Sequence, residues 1–338
     1  MKKAITAAAF VLIGALALSA APADVTYAEG DASIKLKTGK LQDAQIGDTL
    51  NTGDTLRTGK DGLAELDQKG VSIKIAKNTV FTLMEREQGG QTSSVLSVTL
   101  GSIKFRYNKL TGQEPMVRTN SMVAGVRGTE FSVFSGDDGS TLIAVDSGQV
   151  TVESEGKSVD LAATEGVEVP LGKPPGDKFT VPRELMDYSR WNEDKLSAML
   201  ADPLAAMTSI ESSLAEYEKN VADYNATYLE YKARLDAKRQ KRLQISKEQG
   251  ADEAAKYQQE VITPLSLQTG RLFLNARYFS LAALSMRRFV AGRLYVLLKS
   301  RYITNPGDPT WTQFLSRFDN FLSSFEQSIA PQLVVADI

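Results

Sequence analysis

The chain has 338 residues, 42% of them apolar and 24% charged, with 39 basic side chains against 41 acidic ones. That length holds two domains with cores of their own, and the balanced charge gives no support to a nucleic-acid-binding protein, which carries a basic excess. There is no histidine and no cysteine, which excludes Ser-His-Asp and Cys-His nucleophile systems, the usual N/S-ligated zinc and copper sites, disulfides and lipidation at a cysteine.

Met1-Lys2-Lys3 opens the chain, an apolar run follows from Ala4 to Ala20, and Ala21-Pro22-Ala23 supplies the small residues that signal peptidase requires. This pattern predicts a signal peptide over 1–23, cut between Ala23 and Asp24. The apolar run is short for a membrane span of about 20 residues. The mature protein is therefore expected in the periplasm or outside the cell.

From Val25 to Val169, short segments alternate apolar with polar residues, as in Val71-Ser72-Ile73-Lys74-Ile75 and Ile103-Lys104-Phe105-Arg106-Tyr107. Period-2 alternation marks half-buried strands, and Gly-Asp pairs between them mark tight turns. Gly47-Asp48-Thr49-Leu50 recurs six residues later as Gly53-Asp54-Thr55-Leu56. Either a coil of a β-solenoid or two consecutive turns flanking a short strand accounts for it.

Pro170 to Asp177 concentrates helix- and strand-breaking residues and reads as a linker. A long helix is predicted from Pro203, after an Asp202 cap, to about Gly250. Met207, Ile210, Leu214, Tyr217, Val221, Tyr224, Tyr228, Tyr231 and Leu235 fall on it at spacings of three and four, a coiled-coil seam. A second helix is expected over 264–303, with Leu272, Phe279, Ala282, Met286, Phe289 and Val296 on one face. A third, over 310–329, carries a dense aromatic face. A reversal near Gly250 would pack the first two side by side, favouring a monomer over a parallel dimer. The basic run Arg234, Lys238, Arg239, Lys241 and Arg242 reads as a solvated face near a helix C-terminus, with contact to an anionic polymer or headgroup as the alternative.

Val126-Arg127-Gly128-Thr129-Glu130-Phe131-Ser132-Val133 is followed by Val145-Asp146-Ser147-Gly148-Gln149-Val150-Thr151-Val152 and preceded by Gly53-Asp54-Thr55-Leu56-Arg57-Thr58-Gly59. In this order the three elements resemble the FecR domain family over roughly residues 25 to 170. The resemblance picks out Gly53, Asp54, Gly59, Arg127, Gly128, Thr129, Phe131 and Gly148 as family-motif positions with a structural role expected. It implies a periplasmic, β-rich, solenoid-like module. The founding members relay a signal from an outer-membrane transporter to a cytoplasmic sigma factor, through a cytoplasmic segment and a docking domain. Here a signal peptide and helices stand in those places, so the chain resembles the stand-alone exported members and direct sigma-factor control is not expected.

The expected fold is α+β and multidomain: an all-β solenoid- or roll-like domain over 24–170, a Pro/Gly linker over 171–181, and an α-helical antiparallel coiled-coil bundle over 182–338. No catalytic residue, metal or cofactor is expected. The leading functional expectation is a non-enzymatic binding or scaffolding protein of the envelope, with a protein or glycan partner. A signalling adaptor that passes ligand binding to a membrane regulator is the alternative. Carboxylate-based glycan hydrolysis would need two carboxyl groups about 5 to 9.5 Å apart, and no motif picks out such a pair.

Overall fold

A computed structural model describes residues 21–88, 91–107, 115–181 and 188–333. The signal peptide expected over 1–23 lies outside them up to residue 20. Ala23 is the first residue of strand β1 (Ala23–Glu29); it is buried and pairs with Leu50. A cut before Asp24 would start the strand at the next pair, Asp24 with Thr49.

The N-terminal unit is a sheet of 15 strands and the C-terminal unit is helical. β1 pairs with β4 (Thr49–Leu50) and β6 (Leu63–Gln68), and β6 pairs with β7 (Val71–Ile75). A smaller group joins β2 (Ala32–Lys35), β3 (Leu41–Asp43) and β5 (Thr55–Thr58) to β8 (Val80–Gln88). Among the described residues every pairing is antiparallel except that of β9 (Gln91–Tyr107) with β10 (Met116–Arg118). A solenoid stacks its coils in parallel, so the expected solenoid form gives way here to hairpins and long bent strands.

Three long strands change partners part-way. β9 pairs β8 with its first half and β7 with its second. β11 (Val123–Ser135) pairs β10 before Gly128 and β9 after it. β12 (Thr141–Ser154) pairs β14 (Glu165–Val169) with its start and β13 (Lys157–Ala162) with its end. Gly128 and Gly148 take φ of 56° and 82° where the β11–β12 register shifts, and a Cβ on Gly148 would overlap the Gly128 carbonyl. The bends fold the sheet around one core containing Phe105, Phe131, Ile103 and Val133. The Phe105 and Phe131 rings stack at 5.2 Å.

The six-residue repeat is two copies of one turn. Gln45 and Asn51 each accept a backbone bond from the aspartate three residues on, and that aspartate's carboxylate accepts their own N–H, at 2.9 Å and 2.8 Å. Gly47 and Gly53 sit at φ of 92° and 94° inside the turns, a conformation that glycine alone adopts cheaply. Each turn delivers a leucine, Leu50 or Leu56, into the core.

Residues 171–181 join both units. Leu171 packs into the helical core, and β15 (Phe179–Thr180) adds to the sheet beside β14. Helix α1 (Tyr188–Ala201) leads to α2 (Pro203–Glu248), which Asp202 caps by accepting the Ala205 N–H at 2.9 Å. α3 (Ala251–Tyr257), α4 (Thr263–Ser285) and α5 (Gly292–Arg301) follow as one helical run with π-helical stretches at Gln258–Ile262 and Met286–Ala291. α6 (Pro309–Ser324) closes the unit.

The α2 seam meets several neighbours rather than one. Met207, Ile210 and Leu214 join Met286, Val290, Phe314 and Phe318 in the helical core, whereas Tyr224 stacks on Phe279 and Tyr228 packs on Phe273. Those pairs run in opposite chain directions, so α2 and α4 are antiparallel. The π-helical stretches interrupt a heptad register, each extra residue turning the following face by about 100°. Val296, expected on the buried face, is consequently exposed, while Leu294 and Leu298 are buried. Among the described residues no helix is long and apolar enough to cross a membrane.

Glu130, between Thr129 and Phe131, carries the main charge cluster on the outer face of the sheet. It accepts from Arg106 at 3.0 and 3.1 Å and pairs with Lys104 at 2.8 Å, and these partners hold its carboxyl down at about 2. A depressed carboxyl contributes stability above its ordinary value of 4.5 and loses it as the pH falls toward 2. In acid titrations followed by circular dichroism, wild type should be more stable than Glu130→Gln at pH 6. The gap should close between pH 4.5 and 2; a gap independent of pH would contradict the assignment.

Candidate ligand site

A cavity of about 410 Å³ lies where the sheet meets the helices. Strand β10 and the turn after it form one wall. Thr119 accepts from the N–H groups of Ser121 and Met122 through its hydroxyl, and its own N–H bonds the Met122 carbonyl at 3.0 Å, which fixes that turn. The β12–β13 hairpin supplies Glu153 and Glu155, α2 supplies Glu216, Tyr217, Asn220 and Tyr224 from one helical face, and α4 supplies Tyr278 and Phe279.

Arg118 is the floor of the cavity, only 4% exposed. Strand alternation places Val117 in the sheet core and Arg118 on the opposite face, which solvent would cover if the helices did not. Its Nη2 donates to the Tyr217 hydroxyl at 2.9 Å, and its guanidinium lies 5.0 Å from the Tyr278 ring and 5.4 Å from that of Tyr217. Arg86 approaches the same Tyr278 ring at 5.2 Å. Neither arginine forms an ion pair with a carboxylate among the described residues. A desolvated guanidinium over an aromatic face gains about 2 kcal/mol, which offsets only part of the cost of burying its charge.

The mouth is acidic. Glu153, Glu155 and Glu216 are exposed there. The cleft walls desolvate Glu216 and Glu155 faces it, raising its carboxyl above the ordinary range against the pull of Arg118. Burial likewise raises the Tyr217 hydroxyl, so it stays protonated at neutral pH.

A second set of contacts, among residues that do not line the cleft, clamps the units together. The Asp137 carboxylate, its side chain 5% exposed, accepts from Arg293 Nε at 2.9 Å and from Asn192 Nδ2 at 2.8 Å. Tyr188 donates to the Ser135 carbonyl at 2.9 Å, and Trp191 donates to Glu168, which also pairs with Lys195. Arg57 lies 5.1 Å from the Phe289 ring.

The family-motif positions lie elsewhere. Asp54 is buried in its turn and accepts from Lys37 and Asn51, Gly53 abuts Arg277, and Gly59 abuts the Asp31 carboxylate. Arg127 pairs through its backbone with Gln149, Thr129 and Phe131 are buried, and Gly128 and Gly148 occupy the bend. Gly53, Asp54, Gly59, Gly128, Thr129, Phe131 and Gly148 do not line the cleft; from the α2 seam, Tyr217 and Tyr224 do. Arg86, Arg118, Glu216 and Tyr278 escaped the sequence reading because nothing local distinguishes them from surface charge or helix core. The outward phase of Arg118 beside buried Val117 was the available signal, and it needs the covering helices to be interpreted. Among the described residues, no group of three His, Cys, Asp or Glu side chains could hold a metal ion.

Residues 54–151 match the family model described as FecR protein. This segment is a FecR domain. It supplies the arginine wall of the cleft, and the match stops inside β12, so the acidic hairpin and the helices lie outside the matched segment. Two crystal structures of a candidate anti-sigma factor from Parabacteroides distasonis ATCC 8503, at 1.65 and 2.50 Å, are 16% identical to this chain. The alignments cover 38% of this chain and 59% of those chains, with TM-scores of 0.33 and 0.32. No curated protein matches the sequence.

Asp137→Ala should lower stability by about 1–3 kcal/mol, because it leaves the Asn192 amide and the Arg293 guanidinium without their shared acceptor. Urea unfolding of the full chain measures this; an unchanged midpoint would show that the clamp is idle.

Proposed function

We propose that this chain is a non-enzymatic binding protein of the bacterial envelope, and that the cleft between its FecR domain and its helices receives a small ligand. One observation carries the reading: a cavity within the ordinary range of small-molecule sites, about 300–1,000 Å³, has a buried arginine on its floor without a carboxylate partner. A side chain that costs folding energy is retained where a ligand completes it. The signal peptide expected over 1–23 supports a periplasmic or secreted location, and a scaffolding role toward an envelope protein or glycan would use the surface of the helical arm.

A signalling adaptor is the second reading, favoured by the position of the cleft. A ligand there touches the FecR domain on one side and α2 and α4 on the other, so occupancy changes how firmly the two hold each other.

The test uses the full mature chain and the low-molecular-mass fraction of an envelope extract. Asn220→Trp fills the cleft from α2, where Asn220 donates to the Glu216 carbonyl at 3.0 Å. Binding should raise the melting temperature of wild type by a few degrees, at about 2–4 °C per kcal/mol, and leave Asn220→Trp unmoved. Equal shifts in both proteins, or none in either, would overturn the cleft as a ligand site.

A further inference from the structure

The charges of the cleft are ordered along its depth. Arg86 and Arg118 share the Tyr278 ring at the floor, Arg118 reaches Tyr217, the residue before it on α2 is Glu216, and Glu216 and Glu155 both line the cleft from exposed positions. Buried Arg118 thus lies inside and the exposed carboxylates outside, and the rings of Tyr224 and Phe279 line the same cleft.

Glu155 is held there at a local cost. With Gly156 it forms a two-residue hairpin loop between Ser154 and Lys157, and both take positive φ, 49° and 67°. Such loops favour Asn-Gly or Asp-Gly, whose short side chains tolerate the left-handed region, and a glutamate gains nothing locally from it. Its longer side chain does reach the cleft mouth opposite Glu216.

This order discriminates among ligand classes. A simple anion would be drawn to the arginines but must pass three carboxylates at the mouth. A simple cation would be held at the mouth but repelled by two guanidiniums at the floor. A molecule with a carboxylate at one end and an ammonium at the other, and an apolar body between, satisfies both ends at once. Among the described residues the acidic groups do not form a metal site.

We propose that the cleft binds a short peptide or similar zwitterion end-on, its carboxylate against Arg118 and Arg86 and its ammonium between Glu155 and Glu216. The inference rests on the reading of the cleft as a ligand site. Binding places the peptide C-terminus deepest, and side chains of moderate size contact Tyr224 and Phe279.

Native mass spectrometry or calorimetry of the full chain tests it with three probes: a mixture of unblocked tripeptides, the same mixture N-acetylated, and the same mixture with C-terminal amides. Wild type should bind the unblocked peptides at least tenfold more tightly than either blocked form. The double variant Glu155→Gln/Glu216→Gln, at exposed positions that spare the core, should bind unblocked and N-acetylated peptides equally. Equal binding of the N-acetylated mixture by wild type would make this an anion site, and equal binding of the amides a cation site; either result overturns the proposal. If no peptide binds while the extract still shifts wild type and not Asn220→Trp, the cleft stands and the zwitterion assignment falls. If neither experiment shows binding, both fall.

Discussion

The ring of Tyr278 on α4 is where the two halves of the molecule become one. It is buried against Met84 and Val95 of the sheet, and the guanidiniums of Arg86 and Arg118 lie over it at 5.2 and 5.0 Å. Arginine suits the place because its planar, weakly hydrated cation stacks on aromatic faces and tolerates partial loss of water, as an ammonium does not. The same device recurs at Arg57 over Phe289 and Arg118 over Tyr217. An interface of arginine on aromatic rings leaves two guanidiniums in the cleft that form no direct ion pair with a carboxylate among the described residues. That charge is what the proposed ligand site rests on.

The remainder of the architecture serves this arrangement. Bends in β9, β11 and β12 let one sheet wrap its own core, which leaves an outer face of β8 to β10 for the helices to cover. The antiparallel pairing of α2 with α4 sets Tyr217 and Tyr224 beside Tyr278 and Phe279, and the Asp137 clamp holds α1 and α5 against the loop between β11 and β12. Without the helices Arg118 would be exposed to solvent, and the carboxylates of Glu153, Glu155 and Glu216 all lie beyond the segment matched as FecR. On this account the helical extension converts a β module into a two-sided site.

How far the sequence foretold this depends on the range of the interactions involved. Alternation in Val71–Ile75 and Ile103–Tyr107, the Asp202-Pro203 start of α2 and the aromatic face of α6 were legible because each is a local pattern with a local cause. The two Gly-Asp turns were visible as a repeat, but their meaning was ambiguous until strand pairing showed antiparallel neighbours. Val296 was misplaced because a π-helical stretch ten residues earlier rotates the face, and no residue type marks such an insertion. Arg118 was missed for a different reason. A charged residue at an outward strand position is ordinarily solvated, and only the long-range packing of α4 on β10's neighbours buries it.

Because the shared burial of Tyr278 ties sheet and helices together, the full chain should unfold as one cooperative unit despite its two kinds of structure. Differential scanning calorimetry of wild type beside Tyr278→Ala measures this directly. The account predicts a single wild-type transition whose calorimetric and van't Hoff enthalpies agree, and two separated transitions once the ring is removed. Two independent transitions already present in wild type would contradict it, because the cleft would then lie between domains that do not depend on each other.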